Sequence, residues 1–73
     1  MKYVATIRAF DRLGRLGIDG QEEVDADGDE SAYGKALEMA RKKDNDKVTH
    51  LVLKIREEET GRIIFRYPGY LNI

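Results

Sequence analysis

Hydrophobic and polar positions alternate along two long segments of the chain, and a period of two residues predicts β-strands. In Tyr3–Phe10, every second side chain from Tyr3 to Ala9 is expected to face a core. In Val48–Arg56, the alternation predicts one face with Thr49, Leu51, Leu53 and Ile55 and an opposite face with His50, Val52, Lys54 and Arg56. Both segments are therefore expected to be strands that have one covered face and one open face.

Two further segments predict a second and a fourth strand. Gln21–Ala26 is short and directs Val24 and Ala26 inward. In Arg62–Tyr67 the inward side chains are expected to be Ile63, Phe65 and Tyr67, and the outward ones Ile64 and Arg66. Between the first two strands, Asp11–Gly20 is rich in glycine and predicts a wide hairpin loop.

The segment after the second strand is typical of an amphipathic helix. Asp27 is expected to be the N-cap, because Glu30 then lies at the third helical position, as a capping box requires. Apolar side chains recur at spacings of three and four residues, at Ala32, Tyr33, Ala36, Leu37 and Ala40. Gly34 is expected to allow close approach of the sheet, and Asp44-Asn45-Asp46 is expected to end the helix.

These elements follow the order β-β-α-β-β, which predicts an α+β fold with one helix packed on one face of a four-stranded antiparallel sheet. Residues 1–73 are expected to form a single small domain, because the length leaves no room for a second core. The uncovered sheet face should meet water or a partner. Whether the apolar tail Tyr67–Ile73 packs in the core or contacts a partner stays open.

Composition removes several classes of protein and site. The chain has no cysteine and one histidine, which excludes a disulfide framework and a thiolate zinc site. No apolar run approaches the roughly 18 residues of a membrane span. We therefore expect a protein of the cytoplasm, or of the host cytoplasm if phage-encoded, with no metal, cofactor or membrane partner.

Charge is balanced in total but uneven along the chain. The formal net charge is −1, which argues against a dedicated nucleic-acid-binding protein. Asp19–Glu30 is strongly acidic, whereas the first strand, the end of the helix and the last strand are basic. This distribution indicates an acidic edge beside separate basic patches, an arrangement that favours oriented docking. It is equally compatible with the mixed charges that any soluble surface carries.

The uncovered sheet face is the main candidate site. It is expected to carry cationic side chains interleaved with apolar and aromatic ones: Arg8, Lys54, Arg56 and Arg66 with Val4, Phe10, His50, Val52 and Ile64. Such a surface suits an acidic protein, a nucleic acid or a second copy of the chain. It is equally compatible with an ordinary solvated face, on which Lys and Arg stems cover apolar neighbours.

Two other features add to this candidate site without making it catalytic. Arg12 and Arg15, on the glycine-rich loop, are included among the expected partner-binding residues, although the glycine spacing matches no phosphate-binding fingerprint. The alternative is a solvated flexible loop. His50 is the sole histidine, and Thr49 beside it in the strand points to the opposite face. The protein is therefore not expected to be an enzyme.

Two families resemble parts of this sequence. The opening Met1-Lys2-Tyr3-Val4-Ala5-Thr6-Ile7 and the helix Asp29–Lys43, with its Lys35-Ala36-Leu37-Glu38-Met39-Ala40 centre, resemble the N-terminal half of HicB-type antitoxins. Arg12–Gly20 stands where that family has a Pro-Asp-Leu-Pro-Gly-Cys-like segment. This resemblance implies an antitoxin-like or nucleic-acid-binding module.

The order of elements, the size and the segment Thr49–Glu57 before a glycine turn are similar to a small phage-encoded anti-CRISPR inhibitor of type I-F complexes. This resemblance implies a non-enzymatic inhibitor that docks on a larger protein or nucleoprotein complex. The partner-binding residues expected from the sequence are Arg8, Phe10, Arg12, Arg15, His50, Lys54, Arg56 and Arg66.

Overall fold

The computed structural model describes residues 1–67 and 69–70 of the chain. The elements are β1 (Lys2–Asp11), β2 (Leu16–Asp25), α1 (Asp29–Lys43), β3 (Val48–Glu57), β4 (Ile63–Arg66) and β5 (Gly69–Tyr70). Neighbouring strands are all antiparallel, in the order β2-β1-β3-β4-β5. The predicted α+β fold is confirmed, and the two-residue strand β5 extends the four predicted strands.

The core lies between α1 and one face of the sheet. Its buried apolar side chains come from β1, β2, α1, β3 and β4 and from the connection that follows β2: Tyr3, Ala5, Ile7, Val24, Ala26, Ala32, Ala36, Ala40, Val52, Ile55 and Phe65. The predicted helical stripe is confirmed, because its three alanines are buried while Tyr33 and Leu37 pack beside them. Small alanine side chains bring the helix backbone close to the sheet, which suits so thin a core.

The start of α1 differs from the sequence prediction, while its end agrees. Gly28 occupies the N-cap position in an extended conformation, with no side-chain capping hydrogen bond, so the capping box built on Asp27 is wrong. Lys43 ends the helix and Asp44 caps it, as expected. Gly34 is exposed and has open space around it, so its predicted role in close helix–sheet approach is also wrong.

The connection between β1 and β2 is a tight turn, and the predicted wide loop is wrong. β2 begins at Leu16, well before the predicted Gln21. Gly14 adopts a left-handed conformation (φ 77°), and its N–H donates to the Asp11 carbonyl at 3.0 Å. A Cβ on Gly17 would lie 2.6 Å from the Ala9 carbonyl oxygen, so glycine is required where β2 joins the ladder.

The last described residues depart from the prediction for Tyr67. This side chain was expected to face inward, but it is 51% exposed beyond the end of β4. Tyr70 belongs to β5, where it pairs with Phe65. The expected docking of Leu71 and Ile73 lies outside the described residues.

Candidate interaction surface

The sheet surface opposite α1 is the open face, and it follows from the pairing of side chains across the strands. Tyr3, Ala5 and Ile7 are buried under the helix, so the intervening side chains of β1 point away from it. The registers place their cross-strand partners on the same side. The open face therefore comprises Val4, Thr6, Arg8 and Phe10 of β1, Asp19, Gln21 and Glu23 of β2, Thr49, Leu51, Lys54 and Arg56 of β3, and Ile63 and Arg66 of β4.

A β-bulge in β3 divides the alternation that the sequence displays. Thr6 pairs with Lys54 and Ile7 with Val52, so Leu53 is an extra residue without a Cα partner in β1. The extra residue shifts the alternation by one, so the β3 side chains before Leu53 lie on the face opposite to the one that the sequence predicts. As a result, Val52 is buried beside the helix, and the prediction that Val52 and His50 belong to the open face is wrong.

His50 instead connects β3 to the end of the helix. Its backbone N–H donates to the Asp44 carboxylate at 2.7 Å, and its Nδ1 lies 2.9 Å from the same oxygen. His50 also pairs with Ala9, on the side of the sheet that α1 covers. These contacts give His50 a structural role and remove it from the candidate interaction surface.

A second bulge, in β4, reverses the faces on which Ile63 and Ile64 were expected to lie. Ile55 pairs with Phe65, but the next residue, Arg56, pairs with Ile63, which makes Ile64 the extra residue. Ile63 therefore shares the open face with Arg56, whereas Ile64 packs against the core. The sequence prediction placed these two side chains the opposite way.

Three cations form a cluster on the open face, which we call the basic triad: Lys54, Arg56 and Arg66. Lys54 pairs directly with Arg66 across β3 and β4, and Arg56 is two residues along the same face. None of the three side chains forms an ion pair or hydrogen bond with another described residue. Because like charges directly opposite each other destabilise a sheet, this cluster is a cost to the free domain.

The remaining cation of the open face, Arg8, is neutralised within the domain. It makes two hydrogen bonds to Asp19 across β1 and β2, one from Nε and one from a terminal nitrogen at 2.7 Å. Hydrogen bonding from Arg8 holds the pKa of Asp19 below its usual value. The Arg8 side chain therefore forms part of the open face but contributes little net charge to it.

Arg12 and Arg15 lie at the β1–β2 turn, where both arginines are engaged. Arg12 Nε donates to the Asp46 carbonyl at 2.9 Å, and Arg15 Nε donates to the Asp11 carboxylate at 2.9 Å. The Asp11 carboxylate also accepts from the backbone N–H groups of Arg15 and Leu13. Backbone hydrogen bonding from Arg15 is the main cause of the lowered pKa of Asp11. The structure thus separates these two arginines from the basic triad.

A polar network that the sequence does not predict connects the start of α1 to the β3–β4 turn. The two terminal nitrogens of Arg62 each donate to one Asp29 oxygen at 3.0 Å. The buried Tyr3 hydroxyl donates to Asp29 at 3.0 Å, and Arg62 also contacts the buried Glu57 carboxylate at 3.2 Å. These residues are far apart in the sequence, and no local pattern predicts their meeting.

This network lowers the pKa of Asp29. Hydrogen bonding from Arg62 holds the pKa of Asp29 below its usual value, and the Tyr3 hydroxyl adds to that effect. Burial is the first cause of the raised pKa of Tyr3, followed by its hydrogen bond to Asp29. Every charged group in the network has an opposite partner, so its role is structural. We call its four residues, Tyr3, Asp29, Glu57 and Arg62, the clamp.

One surface groove, of about 350 Å³, lies beside the clamp at the edge formed by the start of β1 and the β3–β4 turn. It is lined by Met1, Lys2, Glu57, Glu58 and Glu59. Within the part of the chain that the structure describes, no three histidine, cysteine or acidic side chains are placed to hold a metal ion. None of the described helical segments is long and apolar enough to cross a membrane.

Comparison of the chain with family models, curated proteins and solved structures finds no match. The open face and its charges are therefore the features of this chain that indicate a function.

Proposed function

We propose that this chain is a non-enzymatic interaction protein that docks through its open face on an acidic surface of a larger protein or nucleoprotein complex. The observation that carries this proposal is the basic triad, three adjacent cations without a counter-ion among the described residues. An acidic partner would supply the missing counter-charges. Docking would then relieve the like-charge repulsion that the free domain bears.

Apolar side chains elsewhere on the open face supply the rest of a binding surface. Val4, Phe10, Leu51 and Ile63 are all partly exposed on the open face. Their burial by a partner would add a hydrophobic contribution to the charge pairing, at about 25 cal/mol per Å² of apolar area. Mixed surfaces of this kind are typical of reversible protein contacts.

The distribution of acids favours a protein partner over a nucleic acid. Asp19 and Glu23 lie on the same open face as the triad, on the neighbouring side of β1. A phosphate backbone that crossed the sheet would meet the Glu23 carboxylate, which has no ion pair among the described residues, whereas a protein surface can oppose both signs of charge at once. The alternative function, a nucleic-acid-binding or antitoxin-like module, would have to avoid the β2 side of the face.

The finer proposal is an inhibitor of the phage anti-CRISPR type, which acts in the cytoplasm of a bacterial host. Its support is the similarity of size, element order and Thr49–Glu57 to inhibitors of type I-F complexes, together with a basic face suited to an acidic protein surface. A purified type I-F surveillance complex tests it directly. Loss of target-DNA binding on addition of this protein is expected, and unchanged DNA binding would contradict the inhibitor proposal.

Capture from a bacterial lysate, with and without nuclease, tests the broader proposal. The double variant Arg56→Glu, Arg66→Glu should lose a nuclease-resistant protein that the wild type retains. A matched control, Arg41→Glu, Lys42→Glu, makes the same charge change on the exposed side of α1 and should retain that protein. Retention that disappears with nuclease would favour the nucleic-acid alternative, and equal retention by both variants would contradict docking through the open face.

A further inference from the structure

The open face carries an unpartnered anion as well as unpartnered cations, and the two are arranged around β1. Glu23 is exposed and has no ion pair or hydrogen bond with any described residue. It pairs with Val4 on one side of β1, and Arg56 pairs with Val4 on the other side. We call a set of directly paired residues across β2, β1 and β3 a row. The row of Glu23, Val4 and Arg56 therefore consists of an anion, an apolar side chain and a cation.

We infer that a second copy of this chain packs face to face on the open face, about a two-fold axis that runs along β1. Rotation by half a turn about β1 exchanges the positions of β2 and β3. Glu23 of each copy then lies opposite Arg56 of the other, and Val4 lies opposite Val4 on the axis. This arrangement is an aligned sheet-on-sheet packing, in which the two sheets are ~10 Å apart.

The neighbouring rows are compatible with the same axis. In the next row, Gln21, Thr6 and Lys54 would place an amide oxygen opposite an ammonium group. In the row after that, Arg8 would lie near its own copy, but each Arg8 is already neutralised by Asp19. Phe10 would approach Phe10 of the other copy and contribute an apolar contact near the end of the axis.

Pairing through the free edge of β2 is disfavoured by the same charges. β2 is an outer strand of ten residues, so its edge is geometrically available to a second sheet. Two β2 edges placed together would, however, offer Glu23 no opposite charge, because β2 contains no cation and its other acids, Asp19, Glu22 and Asp25, already pair within the domain. Charge complementarity therefore selects the face and not the edge.

The contact area indicates a weak and reversible dimer. Three strands at about 4.8 Å spacing, each about 33 Å long, cover roughly 475 Å² per copy and about 950 Å² in total. Stable interfaces bury at least about 1,000 Å², so this contact lies near the lower limit. The dimer does not depend on the proposed function, although a docked partner and a second copy would exclude each other from the open face.

Sedimentation equilibrium of the purified full chain tests the dimer without any partner. The wild type should associate with rising concentration, while Glu23→Arg and Arg56→Glu should each raise the dissociation constant at least about tenfold, because like charges would then face each other. The charge-swap double variant Glu23→Arg, Arg56→Glu should restore association. Lys42→Glu, on the exposed side of α1, is the control and should associate like the wild type.

A wild type that stays monomeric up to its solubility limit, single variants that associate normally, or a double variant that fails to recover each contradict the proposed axis. None of these results bears on capture of a partner by the basic triad, so failure of the dimer and failure of the proposed function are distinguishable.

Cross-linking checks the position of the axis independently of charge. The natural chain has no cysteine, so one introduced thiol per chain reports a single site. Thr6→Cys lies on the axis and should give high yields of dimer with a short bis-maleimide, whereas Ser31→Cys, exposed on α1, should not. Equal yields from the two variants would contradict face-to-face packing about β1.

Discussion

Lys54 and Arg66 lie directly opposite each other on the open face, as a like-charged pair across β3 and β4. Neither side chain has an ion-pair partner among the residues that the structure describes. Such a pair costs the isolated domain free energy, which is the expected behaviour of a surface kept for binding and not for stability.

The first prediction concerns this pair. Arg66→Glu should leave the free energy of unfolding unchanged or raise it by about 0.2–1 kcal/mol, because it converts a cross-strand repulsion into an attraction. The same variant should bind the acidic partner less well. Urea denaturation measures the stability, and a clear decrease in stability would contradict the assignment of Arg66 to a binding role.

The second prediction concerns acid stability. The pKa of Asp29 is lower in the folded chain, chiefly because of hydrogen bonding from Arg62, so ionised Asp29 stabilises the fold at pH values above its unfolded pKa. That contribution is lost as the pH falls through the folded pKa. Compared with the wild type, Asp29→Asn should be less stable near neutral pH, and the difference should shrink in acid.

Denaturation midpoints measured across the acid range check this expectation. Asp19→Asn is a useful comparison, because the pKa of Asp19 is also lowered, by Arg8, at a site outside the clamp. Its stability difference from the wild type should therefore shrink in acid as well. Tyr3→Phe should separately cost about 1–2 kcal/mol, since the buried hydroxyl donates to a charged carboxylate. A constant difference between Asp29→Asn and the wild type at every pH would contradict the linkage.

The third prediction compares two glycines. Gly17→Ala should destabilise the fold by roughly 1–3 kcal/mol, because the new Cβ would overlap the Ala9 carbonyl oxygen and force the strands apart. Gly34→Ala should stabilise it by up to about 1 kcal/mol, because the added methyl group meets open space on a helix. Thermal or urea unfolding of both variants measures these opposite effects, and equal effects would contradict the observed β1–β2 register.

The fourth prediction separates His50 from the binding surface. His50→Ala should lower stability by about 0.5–1.5 kcal/mol through loss of the contact with Asp44, without weakening partner capture. Arg56→Glu should have the opposite profile, with near-normal stability and weak capture. If His50→Ala abolished capture in a folded protein, the division of β3 into two faces at Leu53 would be wrong.

Much of the fold was predictable because its signals are local. The alternation in β1, the alanine stripe of α1 and the strand that includes Val52 are read directly from residue spacing. The end of the helix at Asp44 was also predicted correctly. The start was not, because Asp29 is held by Arg62 and Tyr3, which are distant in sequence, and the nearby Asp27 makes no cap.

The candidate surface was predictable only in part. Arg8, Phe10, Lys54, Arg56 and Arg66 lie on the open face as the alternation predicted. Whether these residues bind a partner stays a prediction. Arg12 and Arg15 are near the end of β1 but are engaged at the turn, and His50 belongs to the other side.

The sequence by itself determined the class of fold, the order of its elements and the presence of a basic sheet face, because these depend on periodicity and composition. Only the tertiary structure decided which residues share that face. The bulges at Leu53 and Ile64 depend on how β3 pairs with β1 and with β4, which are contacts between separate strands. Each shifts the register by one residue, and no local pattern encodes that shift.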